Sequence, residues 1–460
     1  MNTFQQFETM KSKGEKVFEK YIVDMVQDFF FSDFYINAVE AEKYYKGENT
    51  NIFERMLWFY DSLGSRIEDK FKANNKVASE FFRKIISQEN SYLLGNGVTL
   101  DDKIKSELGG NKFDIKLQKM GLTALIEGVT WGYCFIDQNG KFDIAEFKGK
   151  EIIELLDERT GELKAAIRVI KGVDSLLPYF IEVYEMDGKT EYTLSLKENS
   201  LKLTEPKKPY KIFTKVDALE EKIYKVQNWN KIPLVPLYAN ELKRSEFTKA
   251  LKSKIDIYDI INSDLANNLE DYKEILYMLK NYAGEDIGEF LADLKMYNVV
   301  KVDDEGGFDV KQQEVPHEAR KLALEVLRKS IFDDSMSLDT DTIKGGSLTN
   351  VAIKSAMIDL DLKTDKFEWQ AVDYITNILE FYYEHIGKVI DTNITFTRRN
   401  IVNDSEIIEN IYKMRDDISH KTALKLNPYI EEVEKELEML EAENMEKVKL
   451  NPIPPSIEEE

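Results

Sequence analysis

Residues 337–386 read SLDTDTIKGGSLTNVAIKSAMIDLDLKTDKFEWQAVDYITNILEFYYEHI, and the punctuation of this stretch decides how the rest of the chain divides. Gly345-Gly346 supplies the backbone freedom of a loop, whereas residues 351–386 contain neither Gly nor Pro until Gly387 stands ready to cap them. This spacing predicts one helix of roughly 50 Å, at ~1.5 Å per residue. Such a helix far exceeds the usual ~11–12 residues, so it must bend or span more than one layer of the structure. On the N-terminal side, residues 240–283 also lack Gly and Pro, which predicts a second long helix opening at about residue 241. Pro316 suits the first position of a third helix, because its missing N–H costs nothing there. Ala319, Leu322, Val326 and Ile331 give that helix an apolar stripe. Between these two, EILYMLKNY reads as a strand, GEDIGEFLADLKMYN as a short helix and VVKVDDEGGFDVKQQEV as a hairpin turning at Gly306-Gly307. A small α/β insert, residues 272–315, thus separates two helices.

Further out the pattern changes. Residues 130–240 consist of short apolar runs split by hairpin signals at Asn139-Gly140, Thr160-Gly161 and Asp187-Gly188, which predict a meandering antiparallel sheet closed by IPLVPLYAN. Residues 15–82 are rich in helix formers and aromatics and read as several helices, followed by a turn at Gly95-Asn96-Gly97. After the long helix, NITFTRRNI reads as a short strand. Acidic helices follow, the last marked by Ile430, Val433, Leu437 and Leu440, and NPIPPSIEEE, residues 451–460, reads as a disordered acidic tail.

The 460 residues are too many for one core of ordinary size. Lys and Arg number 63 against 85 Asp and Glu, a net charge of −22 that excludes a protein gripping nucleic acid over its whole surface. At 43% hydrophobic and 32% charged residues, the chain is neither disordered nor fibrous. The one cysteine, Cys134 in WGYCFI, forms no intramolecular disulfide or cysteine metal cluster and reads as a buried apolar residue. No signal peptide and no membrane-spanning run is legible, so a reducing, aqueous compartment is expected.

Motifs for chemistry are sparse. There is no GxxxxGK[ST] phosphate loop and no GxGxxG after a strand, and His317, His385 and His420 lie in no metal-ligand or nucleophile pattern. Asp339 and Asp341 form a DxD, a pair that in some transferases holds a divalent cation against phosphates. It leaves a Mg²⁺-dependent transferase as one alternative, though without a base or a nucleotide cradle; a solvated turn is the plainer reading. A helical scaffold or adaptor without DNA passage is the other alternative. Basic residues cluster modestly: Lys243, Arg244, Lys249, Lys252 and Lys254 at the opening of the first long helix, and Arg320, Lys321, Arg328 and Lys329 on the next. Lys344, with Thr342, Gly345, Gly346 and Ser347, forms a flexible loop able to offer one charge and several donors to a phosphate.

With these elements in order, the chain resembles the portal proteins, or head-to-tail connectors, of long-tailed bacteriophages of Gram-positive hosts. NSYLLGNGVTL, IPLVPLYAN, KSKIDIYDIINSDLANNLED, GGSLTNVAIKSAMIDLDLKTDKFE, ITFTRRNIVNDSEIIENIYKM and ISHKTALKLNPYIEEVEKELEMLEAE carry the resemblance, in the family's order, over about residues 90–443. It implies an α+β, mainly helical portal fold. Residues 1–240 would form a wing with a β-rich part, 241–271 and 316–336 two stem helices, and 272–315 a clip. Residues 337–350 would be a tunnel loop, 351–400 the long wing helix and a strand, and 401–450 a helical crown. The resemblance further implies a structural protein without catalysis or cofactor, a ring commonly of twelve subunits at one capsid vertex, and double-stranded DNA passing through it during packaging and ejection. Implied partners are the terminase large subunit, a head-tail adaptor, scaffold and major capsid protein. The implied location is the virion, after assembly in the host cytoplasm, with no membrane. In this setting Thr342, Lys344, Gly345, Gly346 and Ser347 become DNA-facing candidates, with Lys249, Lys252, Lys254, Arg320, Lys321, Arg328 and Lys329 as basic residues of the stem. The composition suits a conduit, since each phosphate neutralised by Lys or Arg adds affinity that would stall a moving duplex.

Overall fold

A computed structural model describes residues 3–60, 64–69, 72–172, 177–216, 222–271, 276–280, 307–311, 317–342, 349–399, 404–415, 417–430 and 432–450. Helices Phe4–Ser12, Glu15–Phe30, Asp33–Tyr45 and Thr50–Phe53 open the chain. The expectation of helices throughout residues 15–82 is then corrected by a hairpin, β1 (Trp58–Tyr60) paired with β2 (Arg66–Glu68). The aromatic run Trp58-Phe59-Tyr60 favours extended backbone, and its solvent exposure leaves no helical packing to override that preference.

Helix Phe81–Leu94 leads to β3 (Val98–Thr99), and helix Asn111–Glu127 leads to β4 (Val129–Ile136) and β5 (Phe142–Lys148). Strands β6 (Ile152–Leu156), β7 (Leu163–Ile170), β8 (Tyr179–Glu185), β9 (Gly188–Ser195) and β10 (Ser200–Lys208) follow. They form an antiparallel meander in sequence order, with Ile153 opposite Ile167 and Ile167 opposite Val183. All three hairpin signals turn the chain as read. The single expected sheet is nonetheless three, because β5 and β6 do not pair, β11 (Lys211–Val216) and β12 (Lys222–Gln227) form their own ribbon, and β13 (Leu234–Tyr238) returns to pair with β4 in the order β13-β4-β5. One face of the five-stranded sheet, including Leu155, Ile167, Val183 and Leu194, packs on Phe7, Phe18, Ile22 and Val26 of the first two helices. From its other face, Ala166 and Tyr184 pack with Trp131, Phe147 and Leu234 of the three-stranded sheet.

The crossing between sheets is the one-turn helix Gly149–Glu151. A Cβ on Gly149 would lie 2.3 Å from the Val129 carbonyl oxygen, so only glycine permits this close approach. Next to it the Lys150 N–H donates to Glu127 Oε2 at 3.0 Å, and its ammonium pairs with Glu42 and, at 3.6 Å, with Glu127. Burial resists ionisation of Glu42, but Lys150, Lys148 and Lys46 outweigh it and hold the carboxyl at about 2. Glu127 is buried more deeply, and burial prevails over Lys150 and raises its carboxyl to about 7.

The largest core joins helices Phe81–Leu94, Asn111–Glu127 and Asn350–Ile386 through Leu93, Leu125, Phe367, Tyr374 and Ile378, with Cys134 and Val235 from the three-stranded sheet. Cys134 is fully buried, as its apolar setting predicts, and burial pushes its thiol well up. The helix expected from residue 241 begins eight residues later, at Lys249–Asp271. Residues 240–248 hold polar side chains that outcompete helical hydrogen bonding: Asn240 Oδ1 accepts the Arg244 N–H, and Ser245 Oγ donates to the Ile126 carbonyl at 2.6 Å. Thr248 Oγ1, accepting the Leu251 N–H at 3.1 Å, then caps the start. Lys243 and Arg244 therefore precede the helix and do not lie on it.

Within the insert, β14 (Leu276–Lys280) pairs antiparallel with β15 (Gly307–Lys311), Leu276 opposite Lys311. The strand at 307–311 is thus partnered across the insert, while the other arm of the hairpin expected around Gly306-Gly307 lies outside the described residues. The short helix expected at 284–298, Pro316 and the tail 451–460 lie outside the described residues. Helix His317–Asp334 splits its stripe, with Ile331 buried in the core but Leu322 and Val326 exposed.

Helix Asn350–Ile386 runs 37 residues and ends at Gly387, whose φ of +68° suits a left-handed cap and whose N–H donates to the Tyr383 carbonyl at 2.9 Å. The strand read in NITFTRRNI is β16 (Thr395–Phe396), paired with β3. By its internal contacts the chain divides into two units, Met1–Ser337 with Lys363–Arg398, and Leu338–Leu362 with Arg399–Glu460, so the dividing line crosses the long helix. In the second unit Thr349 Oγ1 accepts the Ala352 N–H at 3.3 Å and Glu406 accepts the Asn350 N–H at 2.5 Å, capping the long helix. Helices Asp404–Lys413, His420–Leu426 and Val433–Leu450 complete that unit, Lys421 pairing with Glu434 at 2.9 Å.

The junction predicts a pH effect. A carboxyl whose folded pKa is raised to about 7 contributes stability below its ordinary 4.5, and that contribution disappears as the pH rises through 7. Glu127→Gln keeps an acceptor for the Lys150 N–H without the charge. It is expected to be more stable than the parent at pH 8 by about 1–3 kcal/mol, with the gap closing by pH 5, as measured by thermal unfolding at the two pH values.

Candidate functional site

The helix pair Lys249–Asp271 and His317–Asp334 carries the basic residues singled out by sequence, and a polar ladder fixes its position. The extended segment preceding helix Phe81–Leu94 runs antiparallel along Lys249–Asp271. The Ser79 N–H donates to Asp259 Oδ1 at 2.9 Å, the Val77 N–H to Ser263 Oγ at 2.9 Å and the Asn75 N–H to Asn267 Oδ1 at 2.6 Å. Every second residue of an extended chain advances about 6.7 Å and every fourth residue of a helix about 6 Å, so the two repeats nearly match. Asp259 and Ser263 are fully buried. Asn49 Nδ2 also donates to Asp259, at 2.5 Å, and the Arg55 guanidinium reaches Asp264 at 2.9 Å. Burial raises the Asp259 carboxyl, against the opposing effect of its Ser79 and Asn49 donors.

The seven basic stem candidates take different roles. Lys252 pairs with Asp256 at 2.9 Å and Glu40 at 3.6 Å and lies 5.2 Å from the Tyr44 ring centroid. Burial works against its charge, but Asp256 and Tyr44 prevail and raise its pKa. Lys254 donates to Ser330 Oγ at 2.6 Å and pairs with Asp334, tying the two helices together. Arg328 is half-buried, 5.9 Å from the Phe332 ring centroid, and Arg320 is also half-buried. Lys249, Lys321 and Lys329 are exposed. In the loop, Thr342 ends the single turn Thr340–Thr342, while Lys344, Gly345, Gly346 and Ser347 lie outside the described residues.

The Asp339-Asp341 pair forms a local turn in which Asp339 Oδ1 accepts the Asp341 N–H at 3.1 Å. Among the described residues, no group of three or more His, Cys, Asp or Glu side chains is arranged to hold a metal ion. No helix among them is long and apolar enough to cross a membrane.

Sequence reading missed the buried charge cluster at Lys363, whose ammonium sits 2.6 Å from Glu89 and 3.1 Å from Glu246. Nothing in DLDLKTDKFE distinguishes this lysine from its solvated neighbours. Burial raises the Glu89 carboxyl to about 7 even beside Lys363.

A family model described as "Phage portal protein, SPP1 Gp6-like" matches residues 31–450, and the chain belongs to that family. The portal protein of Bacillus phage SPP1 is 27% identical over 435 residues, covering 88% of this chain and 83% of its own length. The portal protein of Clostridium phage phiCD119 is 28% identical over 426 residues, covering 86% of this chain and 90% of its own. Among solved structures, a chain from the neck of an empty GTA particle, computed with C6 symmetry, covers 82% of this chain and 91% of its own with a TM-score of 0.40 and 8% identity. As a member of the portal family the chain is a structural component of the virion, part of a ring assembly through which phage DNA passes, and not an enzyme.

Removing the deepest rung of the ladder tests how far the helix pair depends on it. Asp259→Ala leaves the Ser79 N–H and the Asn49 amide without their acceptor and is expected to cost about 2–4 kcal/mol. Denaturant unfolding and faster amide exchange at residues 75–79 would register the loss.

Proposed function

We propose that about twelve copies of this chain close into a ring at one capsid vertex, with double-stranded DNA passing through the centre during packaging and ejection. The observation that carries this reading is the match to the portal family over residues 31–450, which takes in both stem helices, the insert and the loop between the second stem helix and the long helix. In this reading residues 1–240 are the wing, 241–271 and 316–336 the stem, 272–315 the clip, 337–350 the tunnel loop, 351–400 the long wing helix with its strand, and 401–450 the crown. The clip receives the terminase large subunit during packaging and the head-tail adaptor afterwards. The ring is built with scaffold and major capsid protein in the host cytoplasm.

The electrostatics support a conduit. A chain of net charge −22 repels the duplex over most of its surface and leaves only local cationic contacts. Lys249, Lys321 and Lys329 are exposed, whereas Lys252 and Lys254 are committed to acidic partners, so the first three are the stem candidates for phosphate contact. Thr342, Lys344, Gly345, Gly346 and Ser347 are the loop candidates. A few such contacts steer DNA without stalling it, because affinity grows with every phosphate neutralised.

Electron micrographs of the purified protein, paired with its mass by light scattering over a range of concentration and salt, are expected to show a closed ring with a central hole. An adaptor-like species without a channel would overturn the reading. Lys344→Glu is expected to alter DNA packaging or retention while rings still form; unchanged packaging would remove the loop lysine from the mechanism.

A further inference from the structure

The cluster at Lys363 sets two carboxylates against one ammonium. Glu89 comes from helix Phe81–Leu94, Glu246 from the segment before helix Lys249–Asp271, and Lys363 from the long helix, with Lys363 2.6 Å from Glu89 and 3.1 Å from Glu246. Glu89 and Lys363 are buried, while Glu246 is half-buried and accepts the Asn240 amide at 2.9 Å. Among the described residues, Lys363 and Glu246 are the charged groups set against Glu89. Helix Asn111–Glu127, which shares the same core, presents an uncharged acceptor, the Gln118 carbonyl that takes the Asn90 amide at 3.0 Å. With all three groups ionised, one negative charge would stand in surplus where little water reaches it, so the site favours holding a proton.

The place of the cluster in the long helix gives it leverage. The dividing line between the two units falls between Leu362 and Lys363, so Lys363 is the first residue of this helix that belongs to the first unit. Phe367, Ala371 and Tyr374 follow it into the core. Beside the cluster in sequence, Asn90 Oδ1 and Thr364 Oγ1 are buried without a hydrogen-bond partner. Both gain one when water is admitted, so opening here is compensated in a way that parting a wholly apolar contact is not.

We propose that Glu89, Lys363 and Glu246 form a proton-dependent latch: while the cluster holds a proton the long helix stays seated at residues 363–371, and loss of that proton loosens the seat. Burial raises the Glu89 carboxyl to about 7, against the pull of Lys363 and with Glu246 adding to the rise. An acid raised in the closed form and at its ordinary 4.5 in the open form favours closure fully below 4.5, and this preference is lost as the pH rises through 7. The latch acts within one subunit and does not depend on the ring.

Hydrogen exchange of the purified full chain tests the latch, read as protection factors so that the intrinsic pH dependence of exchange cancels. Between pH 5 and pH 8 the parent is expected to lose protection at residues 85–93 and 360–371 by roughly tenfold or more. Glu89→Gln keeps the shape without the charge and is expected to lose little over the same range. Equal losses in both proteins, or no loss in the parent, would overturn the latch. Glu246→Gln, at a position with access to water, gives a second readout that does not require the Glu89 variant to fold. It leaves one carboxylate against one ammonium, so the midpoint of the loss is expected to move to lower pH by about one pH unit. An unchanged midpoint counts against the latch. Glu127, raised into the same range at the sheet crossing, is unaltered in every variant, so its contribution is common to all.

Discussion

The burial of Asp259 in the middle of helix Lys249–Asp271 is the constraint from which much of the surrounding structure follows. A carboxylate at that depth is tolerated only with donors in place, and its donors come from Ser79 and Asn49, both far away in sequence. Satisfying it draws the extended segment down the helix, and Ser263 and Asn267 continue the same pairing. The rungs use backbone N–H groups of residues 75, 77 and 79, and the Asn75 side chain adds a bond to Glu270 at 2.7 Å. Helix Phe81–Leu94 is thereby delivered against Tyr258 and Phe332, and the other side of the stem helix remains available for Lys254 to reach its partner helix.

Buried charge recurs elsewhere with the opposite sign. Lys363 lies between Glu89 and Glu246, Lys150 between Glu42 and Glu127, and Lys211 against Glu384 at 3.0 Å and the Trp229 ring at 3.2 Å. Lys363 and Glu89 leave solvent together, so that removing either would strand the other, whereas Lys150, Glu42 and Glu384 keep partial access to water. These interior lysines contribute little to the field outside.

Much of the local structure was legible in the sequence because its determinants are local. Asn139-Gly140, Thr160-Gly161 and Asp187-Gly188 turn where they were read, and the absence of Gly and Pro before Gly387 does announce the long helix. What was not legible depends on distant partners. Which hairpins share a sheet is decided by β13 pairing with β4 about a hundred residues away, and by the contact that only Gly149 allows. Residues 240–248 looked helical because they contain no breaker, yet Ser245 bonds to Ile126 across the fold. Of the candidate site, the positions on the stem were readable, but not the roles: Lys252 and Lys254 look like neighbouring surface lysines until Glu40 and Asp334 are brought to them.

The 37-residue helix Asn350–Ile386 contains no Gly or Pro at which it could be relieved. Each residue of a helix adds about 100° of rotation and 1.5 Å of rise, so every side chain from Val351 to His385 is phased to every other. Loss of a single residue between Lys363 and Tyr374 would turn one by about 100° against the other, so that Lys363 could not keep Glu89 while Tyr374 stayed on Met120. An insertion of seven residues, close to two whole turns, would leave the phase within about 20°. The exposed face of this helix is therefore free in composition, but its length is quantised.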